Sequence, residues 1–369
     1  MSAHLPLPPH PAPLPAAPPE ALGLDPAALS AAVDFALGHE SPWPRDIRAH
    51  LEAGFFEGPP DNAILGPVRP RGGPNGLVLR HGRLAARWGD TRQVDMTFSV
   101  AKSYLAILAG IAVGDGLIPD LDAPVRDLVQ DGGFEGPQNA TVTWRQLLQN
   151  TSEWEGTLFG KSDLIDRGRN LQVEGQGRKG LPRPLHPPGR YWEYNDVRVN
   201  RLSLALLRRF GRPLPEVFAE RIMGPIGASA EWEWHGYETS WVEVGGRHLQ
   251  SVSGGGHWGG GVFIHAEDQA RIGQLVLQDG VWAGRRLLPE GWVAQCRTAS
   301  ALNPHYGLLW WLNTGRSRWP SASAESFCFS GAGGNVTWVD PAAGLVAVLR
   351  WVDATRLDGV MARVDAAIR

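Results

Sequence analysis

The chain has 369 residues, of which 43% are hydrophobic and 20% are charged, a balance typical of a globular protein with one large or two closely packed domains. Its formal net charge of -3 provides no basic surface of the kind that nucleic-acid binding requires, and no apolar run reaches the roughly 18 residues of a membrane span. We therefore expect a small-molecule or peptide ligand, and neither a nucleic acid nor a membrane as partner.

The N-terminal arm, residues 1–24, is rich in proline and lacks the basic start and the continuous apolar stretch of a secretory signal. The two cysteines, Cys296 and Cys328, are distant in sequence and belong to no Cys-x-x-Cys or Cys/His cluster. We therefore expect reduced thiols and a cytoplasmic location.

A helix and a β-hairpin are predicted after the arm. Asp25 is suited to cap a helix whose first residue is Pro26 and which stops at Gly38. Residues 76–90 read GLVLRHGRLAARWGD, two apolar runs on either side of a His-Gly pair, which is a pattern typical of a hairpin. The sheet of the protein therefore begins at this hairpin.

Between residues 97 and 300 the pattern is mostly helical or looped. Four segments have apolar residues at helical spacing and end in a cap or a glycine: TWRQLLQ, VRVNRLSLALLRRF, PLPEVFAERIMGPIG and AEDQARIGQLVLQDG. The stretch 166–189 is dense in glycine, proline and arginine and lacks helical spacing, which predicts a loop that overhangs a site.

Strand patterns return near the C-terminus, where short β-branched or aromatic runs are separated by turns: YGLLWWLN, SFCFSG, GNVTWVDP and GLVAVLRWV. The last segment, LDGVMARVDAAIR, has helical spacing. We therefore predict an α+β fold in which residues 25–96 and 301–369 form a sheet domain and residues 97–300 form an inserted, mostly helical domain. The ligand crevice is expected where the two domains meet.

The segment TFSVAKSYLAILAGI begins a strongly apolar helix with Ser99 and Lys102. Residues three apart share a helix face, so the hydroxyl and the amine can form a hydrogen bond. A desolvated lysine near a helix N-terminus can accept a serine proton, which is the activation that a nucleophilic serine needs. The simpler alternative is that Ser99 caps the helix and Lys102 extends to solvent. The apolar neighbours of Lys102 favour the catalytic interpretation.

This segment resembles the Ser-x-x-Lys motif of the serine β-lactamase and penicillin-binding-protein superfamily. Three later segments resemble further motifs of that superfamily in the same order: TVTWRQLLQNTSEWEG, RYWEYNDVRVNRLSLALL and SGAGGNVTWVDPAAGLVAVLRW. The likeness covers roughly residues 70 to 355 and extends to class C β-lactamases, esterases and 6-aminohexanoate-oligomer hydrolases. It implies a β-lactamase-like fold, with an antiparallel sheet flanked by N- and C-terminal helices, and a serine hydrolase that works through an acyl-enzyme.

By this resemblance Ser99 is the acylated nucleophile, Lys102 is its proton partner, and Tyr194 is the phenol that takes the serine proton and returns it to the leaving group. The family's Tyr-x-Asn motif has Asp196 in place of its asparagine here. A carboxylate at this position would hold Lys102 protonated, as an electrostatic partner of Tyr194 rather than as the base. Alternatively, Asp196 caps the helix that follows.

The third motif departs further from the family. Relatives carry Lys-Thr-Gly or His-x-Gly, whereas this chain has Gly331-Ala332-Gly333 followed by Gly334, which offers no cation to a substrate carboxylate. Glycines let a substrate lie close to a strand, and we expect the backbone N–H groups of Ser99 and Gly334 to form an oxyanion hole, with Gly333 in the substrate pocket. The alternative is a tight turn between two strands.

Trp154, His257 and Trp258 are further candidates for the walls of the crevice. His257 and Trp258 lie in the glycine-rich string SGGGHWGGG, which lacks the ending of a phosphate-binding loop. Most of the 16 tryptophans are expected to pack in the interior. The sequence contains no motif with metal-ligand spacing, so we expect neither a metal nor another cofactor.

The predicted function is a metal-independent serine hydrolase that acts on an ester, an amide or a short peptide, as a carboxylesterase or an oligoamide hydrolase does. Two alternatives stay open. One is a D,D-peptidase or β-lactamase-like enzyme, which needs a cation from elsewhere, such as an arginine of the loop 166–190. The other is a catalytically silent relative that binds a ligand or a partner protein. The sequence determines neither the natural substrate nor the oligomeric state.

Overall fold

The computed structural model describes residues 13–169, 171 and 179–369. Its helices are α1 (Pro26–Leu37), α2 (Ile47–Glu52), α3 (Val100–Gly114), α4 (Gly136–Asn139), α5 (Trp144–Leu148), α6 (Asp196–Phe210), α7 (Leu214–Phe218), α8 (Ala266–Leu277), α9 (Trp292–Cys296) and α10 (Leu357–Ala366). Its strands are β1 (Asn75–Arg80), β2 (Arg83–Trp88), β3 (Asp95–Met96), β4 (Thr157–Leu158), β5 (Lys161–Ser162), β6 (Glu233–Val244), β7 (Arg247–Val252), β8 (Gly261–Ile264), β9 (Val281–Trp282), β10 (Arg285–Arg286), β11 (Trp311–Leu312), β12 (Phe327–Gly331), β13 (Asn335–Asp340) and β14 (Leu345–Arg350).

The main sheet has six antiparallel strands in the order β11-β12-β13-β14-β1-β2. Side chains alternate between the two faces of a strand. Along β14, Val346 and Val348 join the core that contains α3 and α8, whereas Leu345, Ala347 and Leu349 join the core that contains α1 and α10. The sheet is therefore covered on both faces, which explains why β14 is an almost unbroken apolar run.

The two elements predicted after the N-terminal arm are confirmed. Asp25 caps α1, since its Oδ1 accepts a hydrogen bond of 3.0 Å from Ala28 N. The predicted hairpin is formed by β1 and β2, and β1 also pairs with β14. The N- and C-terminal parts of the chain thus meet in one sheet, and the predicted α+β class is confirmed.

The segment 97–300 contains the predicted helices and, in addition, strands β6, β7 and β8, which the sequence pattern did not predict. With β3, which lies just before the segment, they form a small sheet of order β3-β8-β6-β7. The register of β6 against β7 shifts between Gly236 and Trp241, which interrupts the alternation of apolar and polar residues. A search for alternating apolar and polar residues therefore does not detect these strands. Helix α8 also lies in this segment but packs on β13 and β14 of the main sheet.

The predicted loop 166–189 is described in part, because residues 170 and 172–178 lie outside the described residues. In the parts that are described, regular structure is limited to the end of a 3-10 turn at Asp163–Asp166. Within the described residues, none of the helices has the length and apolar character needed to cross a bilayer. Both cysteines are buried and free, and burial raises the pKa of each thiol.

Candidate active site

Ser99 lies immediately before α3, at the junction of the helix with the two sheets. It is half-buried, whereas most of α3 is fully buried. Its hydroxyl makes no capping hydrogen bond to the helix; instead Oγ accepts a hydrogen bond of 2.9 Å from Lys102 Nζ. The preceding Phe98 has φ of 50°, a left-handed conformation that is strained for a bulky residue. The strained turn and the lysine contact both favour the nucleophile interpretation over the cap.

Lys102 is buried, with a side chain that is 1% exposed. Its Nζ lies 2.5 Å from Asp196 Oδ1 and 4.9 Å from the centre of the Tyr194 ring. Burial opposes the charge on the amine, but the Asp196 carboxylate outweighs this effect and raises the pKa of Lys102 above its ordinary value. The amine is therefore an ammonium that donates to Ser99, which makes it an electrostatic partner rather than a ready proton acceptor.

Asp196 is the first residue of α6, and the neighbouring Asn195 performs the capping function. Asn195 Oδ1 accepts a hydrogen bond of 3.1 Å from Arg198 N. The Asp196 carboxylate is fully buried, and its Oδ2 lies 3.1 Å from Arg169 Nη1 and 3.2 Å from His257 Nε2. Burial alone would raise the pKa of Asp196, but the surrounding positive groups, chiefly Lys102, hold it well below its usual range. The structure therefore supports the interpretation of Asp196 as the partner of Lys102 and not as the cap of α6.

A buried network of charged groups extends from Asp196 away from Ser99. His257 Nε2 accepts a hydrogen bond of 2.9 Å from Arg169 Nη2, so its Nδ1, 2.9 Å from Glu57 Oε1, is the donor to that carboxylate. Burial lowers the pKa of His257, which favours the neutral ring. Three cations then balance three carboxylates: Lys102, Arg169 and Lys179 with Asp196, Asp166 and Glu57.

Three members of this network have the geometry of metal ligands. One ligand atom each from Glu57, Asp166 and His257 lies within 4.8 Å of the others. However, Lys179 forms ion pairs with both carboxylates, at 2.7 Å to Asp166 Oδ1. A cation is therefore already supplied by the chain, and a metal ion would have to displace it.

Tyr194 completes the group around Ser99. It is buried just before α6, and its ring lies 4.9 Å from Lys102 Nζ and 5.1 Å from Arg169 Cζ. On its other side the ring stacks on Trp311, with ring centres 5.6 Å apart. Lys102 thus contacts both Ser99 and Tyr194, and the structure brings together the three residues that the sequence proposed for catalysis.

The aromatic side of Tyr194 continues into a wall of three further rings. Trp311 lies 4.7 Å from Tyr306 and 6.2 Å from Trp192, measured between ring centres. Trp192 and Trp311 are half-buried, whereas Tyr306 is fully buried. This wall gives one side of the site an apolar surface that could hold the apolar part of a substrate.

The third motif, which is rich in glycine, approaches Ser99 through Gly331 and not through Gly334, the glycine that the sequence favoured. A Cβ on Gly331 would lie 2.0 Å from Thr97 O and 3.2 Å from Ser99 N. Gly333 instead packs against Trp351, and a Cβ on Gly334 would lie only 1.5 Å from the Val352 carbonyl oxygen. The structure therefore places Gly331, the last residue of β12, beside the nucleophile and puts Gly333 and Gly334 in the turn that follows.

The cause of this difference is strand register. Gly331 pairs with Asn335, so residues 332–334 form the turn between β12 and β13. Gly333 and Gly334 have φ of 73° and 75°, the left-handed values that a glycine adopts without strain. In a string with three glycines, the sequence cannot show which one lies on the strand, because none has a side chain that reveals a face.

Replacing Gly331 with alanine is expected to reduce any hydrolytic activity at least about a hundredfold, because the new methyl group would push β12 away from Thr97 and Ser99 and disturb the proposed oxyanion site. Steady-state kinetics with an activated ester measures the loss. Gly58→Ala is the matched control, since a Cβ there has no heavy atom within 4 Å. Activity of Gly331→Ala within a fewfold of the wild type would contradict this placement of the strand.

Of the other candidates, His257 belongs to the charged network behind Lys102, and the two tryptophans are packed in the interior. Trp154 is 3% exposed and donates through Nε1 to Gly133 O at 2.6 Å. Trp258 is fully buried and donates to Asp61 O at 2.8 Å. Neither ring contacts Ser99, Lys102 or Tyr194 among the contacts of the described residues, so these two positions were better explained as core.

Arg169 and Trp311 are site residues that the sequence analysis did not single out. Arg169 belongs to the loop expected to supply an arginine for a substrate carboxylate, but its guanidinium is committed to Asp196 and His257. Trp311 is the second of two adjacent tryptophans, and Trp310 is buried against Phe327 and Phe329. In a two-residue strand, periodicity cannot distinguish the ring that faces the site from the ring that faces the core.

A family model described as Beta-lactamase matches residues 77–363. No functionally curated protein sequence matches the chain significantly. The matched range includes Ser99, Lys102, Tyr194, Asp196 and Gly331, and extends from β1 into α10.

Solved structures with a similar fold include a provisionally assigned 6-aminohexanoate-dimer hydrolase from Bacillus anthracis, which has 18% identity and a TM-score of 0.63 over 98% of this chain and 89% of that chain. A family VIII carboxylesterase has 16% identity and a TM-score of 0.59 over 94% of this chain and 98% of that one. A penicillin-binding protein homologue from Caulobacter crescentus has 16% identity and a TM-score of 0.59 over 93% and 98%. At these identities the likeness establishes the fold.

Proposed function

Because the chain belongs to the beta-lactamase family of serine hydrolases, we propose that it hydrolyses an ester or an amide through an acyl-enzyme formed on Ser99. The observation that carries this proposal is the hydrogen bond of 2.9 Å from the buried Lys102 ammonium to the half-buried Ser99 hydroxyl. A buried structural lysine needs only its carboxylate partner, whereas Lys102 also donates to a half-buried serine. The arrangement is that of a nucleophile whose developing charge is stabilised by a fixed cation.

In the proposed acylation step, Ser99 Oγ attacks the substrate carbonyl carbon and its proton passes to the Tyr194 oxygen. Tyr194 accepts this proton as a phenolate and becomes a neutral phenol, and Lys102 and Arg169, whose charged groups lie about 5 Å from its ring, stabilise the phenolate beforehand. Tyr194 then donates the proton to the leaving alcohol or amine as the tetrahedral intermediate collapses. Water hydrolyses the ester on Ser99 by the same proton relay in reverse.

The carbonyl oxygen becomes an oxyanion in this step and needs donors. We assign them to the backbone N–H of Ser99, at the N-terminal end of α3, and to the end of β12 at Gly331 and Ala332. The close approach of Gly331 to Ser99 supports this assignment, which replaces Gly334. β11 pairs only with Phe327 and Cys328, so in the described residues no strand covers the later half of β12 on that side. A substrate can therefore lie along that edge.

A carboxylesterase or an oligoamide hydrolase fits this site better than a β-lactamase. Asp196 replaces the amide that relatives offer to a substrate, and it is fully engaged by Lys102 and Arg169. The apolar wall of Trp192, Tyr306 and Trp311 suits an acyl chain or a linear amide. The names of the similar structures, an esterase and a 6-aminohexanoate-dimer hydrolase, agree with this preference.

A panel of p-nitrophenyl esters of short and long chain, p-nitroanilides and nitrocefin tests the function. We expect turnover of esters and slower turnover of anilides, with the acyl group found on Ser99 by peptide mass spectrometry after acid quench. Turnover of nitrocefin above that of every ester would favour the penicillin-interacting alternative instead. If the folded protein neither turns over any of these compounds nor becomes acylated at Ser99, the silent-relative alternative replaces the proposal.

A further inference from the structure

Arg350 is a buried cation on the face of the main sheet that packs against α3 and α8. It is the last residue of β14 and shares a face with Val346 and Val348, because side chains alternate along a strand. It is 1% exposed, and no carboxylate among the described residues forms an ion pair with it. A buried guanidinium without a carboxylate is unfavourable, so its hydrogen bonds must compensate for the lost hydration.

The guanidinium donates to neutral acceptors on four other segments. Nη2 donates to Met96 O at 2.9 Å, at the end of β3. Nη1 donates to Ile264 O at 2.9 Å, at the end of β8, and to Gln269 Oε1 at 3.1 Å, in α8. Nε donates to Asn335 Oδ1 at 2.7 Å, at the start of β13. Arg350 therefore joins the main sheet to the small sheet and to α8.

Asn335 connects Arg350 to the turn that follows β12. Asn335 is fully buried and pairs with Gly331 in the β12–β13 ladder, and its Nδ2 donates to Ala332 O at 2.7 Å. Because a guanidinium can only donate, it holds the amide with Oδ1 towards itself and Nδ2 towards Ala332. Ala332 lies between two glycines, so this hydrogen bond orients a backbone that its neighbours restrict little.

The contact with Met96 holds the chain on the other side of the proposed oxyanion site. Met96 lies three residues before Ser99, and the next residue, Thr97, meets the end of β12, where a Cβ on Gly331 would lie 2.0 Å from Thr97 O. Arg350 thus contacts the segment of the nucleophile directly and the end of β12 through one amide. The spacing of these two segments determines where the oxyanion donors lie.

We propose that Arg350 and Asn335 are positioning residues that hold the backbone at Ala332 in the orientation that the oxyanion site needs. A carboxylate in place of the Asn335 amide would pair with Arg350 but would repel the Ala332 carbonyl oxygen. A neutral amide satisfies both neighbours, which explains why the buried guanidinium has no charged partner. This inference rests on the proposed function, because it assumes that an oxyanion forms beside Ser99.

The first test replaces Asn335 with aspartate, which keeps an acceptor for Arg350 and removes the donor to Ala332 O. We expect kcat for p-nitrophenyl butyrate to fall about ten- to a hundredfold with little change in KM, because the oxyanion forms only after binding. Affinity for butylboronic acid, which forms a tetrahedral anion on a serine hydroxyl, should fall by a similar factor. The melting temperature should stay near that of the wild type, since a new ion pair with Arg350 offsets the lost hydrogen bond.

The second test substitutes Arg350 itself. Arg350→Met removes every donor and should lower both kcat and the melting temperature, whereas Arg350→Lys keeps a donor for Asn335 Oδ1 and should restore part of kcat. Arg201→Met is the matched control, because Arg201 is also buried but pairs with Asp131 on α6's outer side of the fold, away from Ser99. It should lower the melting temperature and leave kcat per active site unchanged, with active sites counted by fluorophosphonate labelling.

The outcomes separate this inference from the proposed function. Wild-type kcat and wild-type butylboronic acid affinity in folded Asn335→Asp would overturn the positioning role. Arg350→Met and Arg350→Lys that lose stability but keep kcat per labelled site would also overturn it and leave Arg350 as a purely structural contact. A wild type with neither turnover nor labelling would refute the proposed function, and this inference with it.

Discussion

Replacing Ser99 with alanine is expected to abolish acylation and to lower kcat for ester hydrolysis about a thousand- to a millionfold, the range that follows loss of a nucleophile. The reason is that the attacking oxygen is removed while the oxyanion donors and the Lys102–Asp196 pair remain. Loss of labelling by a fluorophosphonate probe measures the first effect, and p-nitrophenyl butyrate hydrolysis measures the second. The variant should stay folded, because the Ser99 side chain makes no capping bond to α3.

Ser103→Ala is the matched control for this substitution. Ser103 lies one turn later on α3, is buried, and donates to Leu309 O at 3.0 Å. Its loss should cost about 1 kcal/mol of the free energy of unfolding and leave labelling intact. Persistent labelling of Ser99→Ala at the wild-type rate would show that another nucleophile reacts, and the assignment of Ser99 would then be abandoned.

Replacing Asp196 with asparagine is expected to reduce the free energy of unfolding at neutral pH by about 3–5 kcal/mol, because Lys102 would remain buried without a carboxylate and Arg169 would keep only Asp166, at 3.6 Å. Urea unfolding of the two proteins measures the difference. Asp122→Asn provides the contrast, since Asp122 is exposed and pairs with Arg145 at 2.7 Å. An exposed pair contributes about 1 kcal/mol or less.

The same variant distinguishes the two roles of Lys102. Without the carboxylate, burial is the dominant influence and the pKa of Lys102 should fall. If the ammonium is the active form, the alkaline limb of the kcat/KM profile moves to lower pH in Asp196→Asn. An increase in activity at neutral pH would instead identify the free amine as the proton acceptor.

Acid sensitivity provides a further readout of the Asp196 substitution. The folded-state pKa of Asp196 is depressed, so the unfolded chain binds more protons as the pH falls below about 4, the ordinary carboxyl value. The stabilisation is therefore complete above that pH and is lost as the pH falls through the folded-state pKa. Asp196→Asn should show a smaller loss of stability over this interval than the wild type. Equal slopes for the two proteins would contradict the buried ion pair.

The sequence was sufficient to predict structural features that depend on contacts between residues close together in the chain. The cap of α1, the β1–β2 hairpin and the spacing of Ser99 and Lys102 each depend on residues within a few positions of one another, and backbone geometry fixes such distances. The apolar pattern of β14 also predicted a strand, because a strand that is buried on both faces has an almost continuous run of apolar residues. The resemblance of the motifs supplied the proposed role of Tyr194, which spacing alone could not have given.

Only the tertiary structure decided which distant groups meet. Asp196 could have capped α6, and the packing of α3 against α6 instead directed it to Lys102. The register of β12 against β13 selected Gly331 rather than Gly334. Helix periodicity and turn chemistry act over a few residues, whereas ion pairs and strand registers between remote segments are set by how the whole core packs.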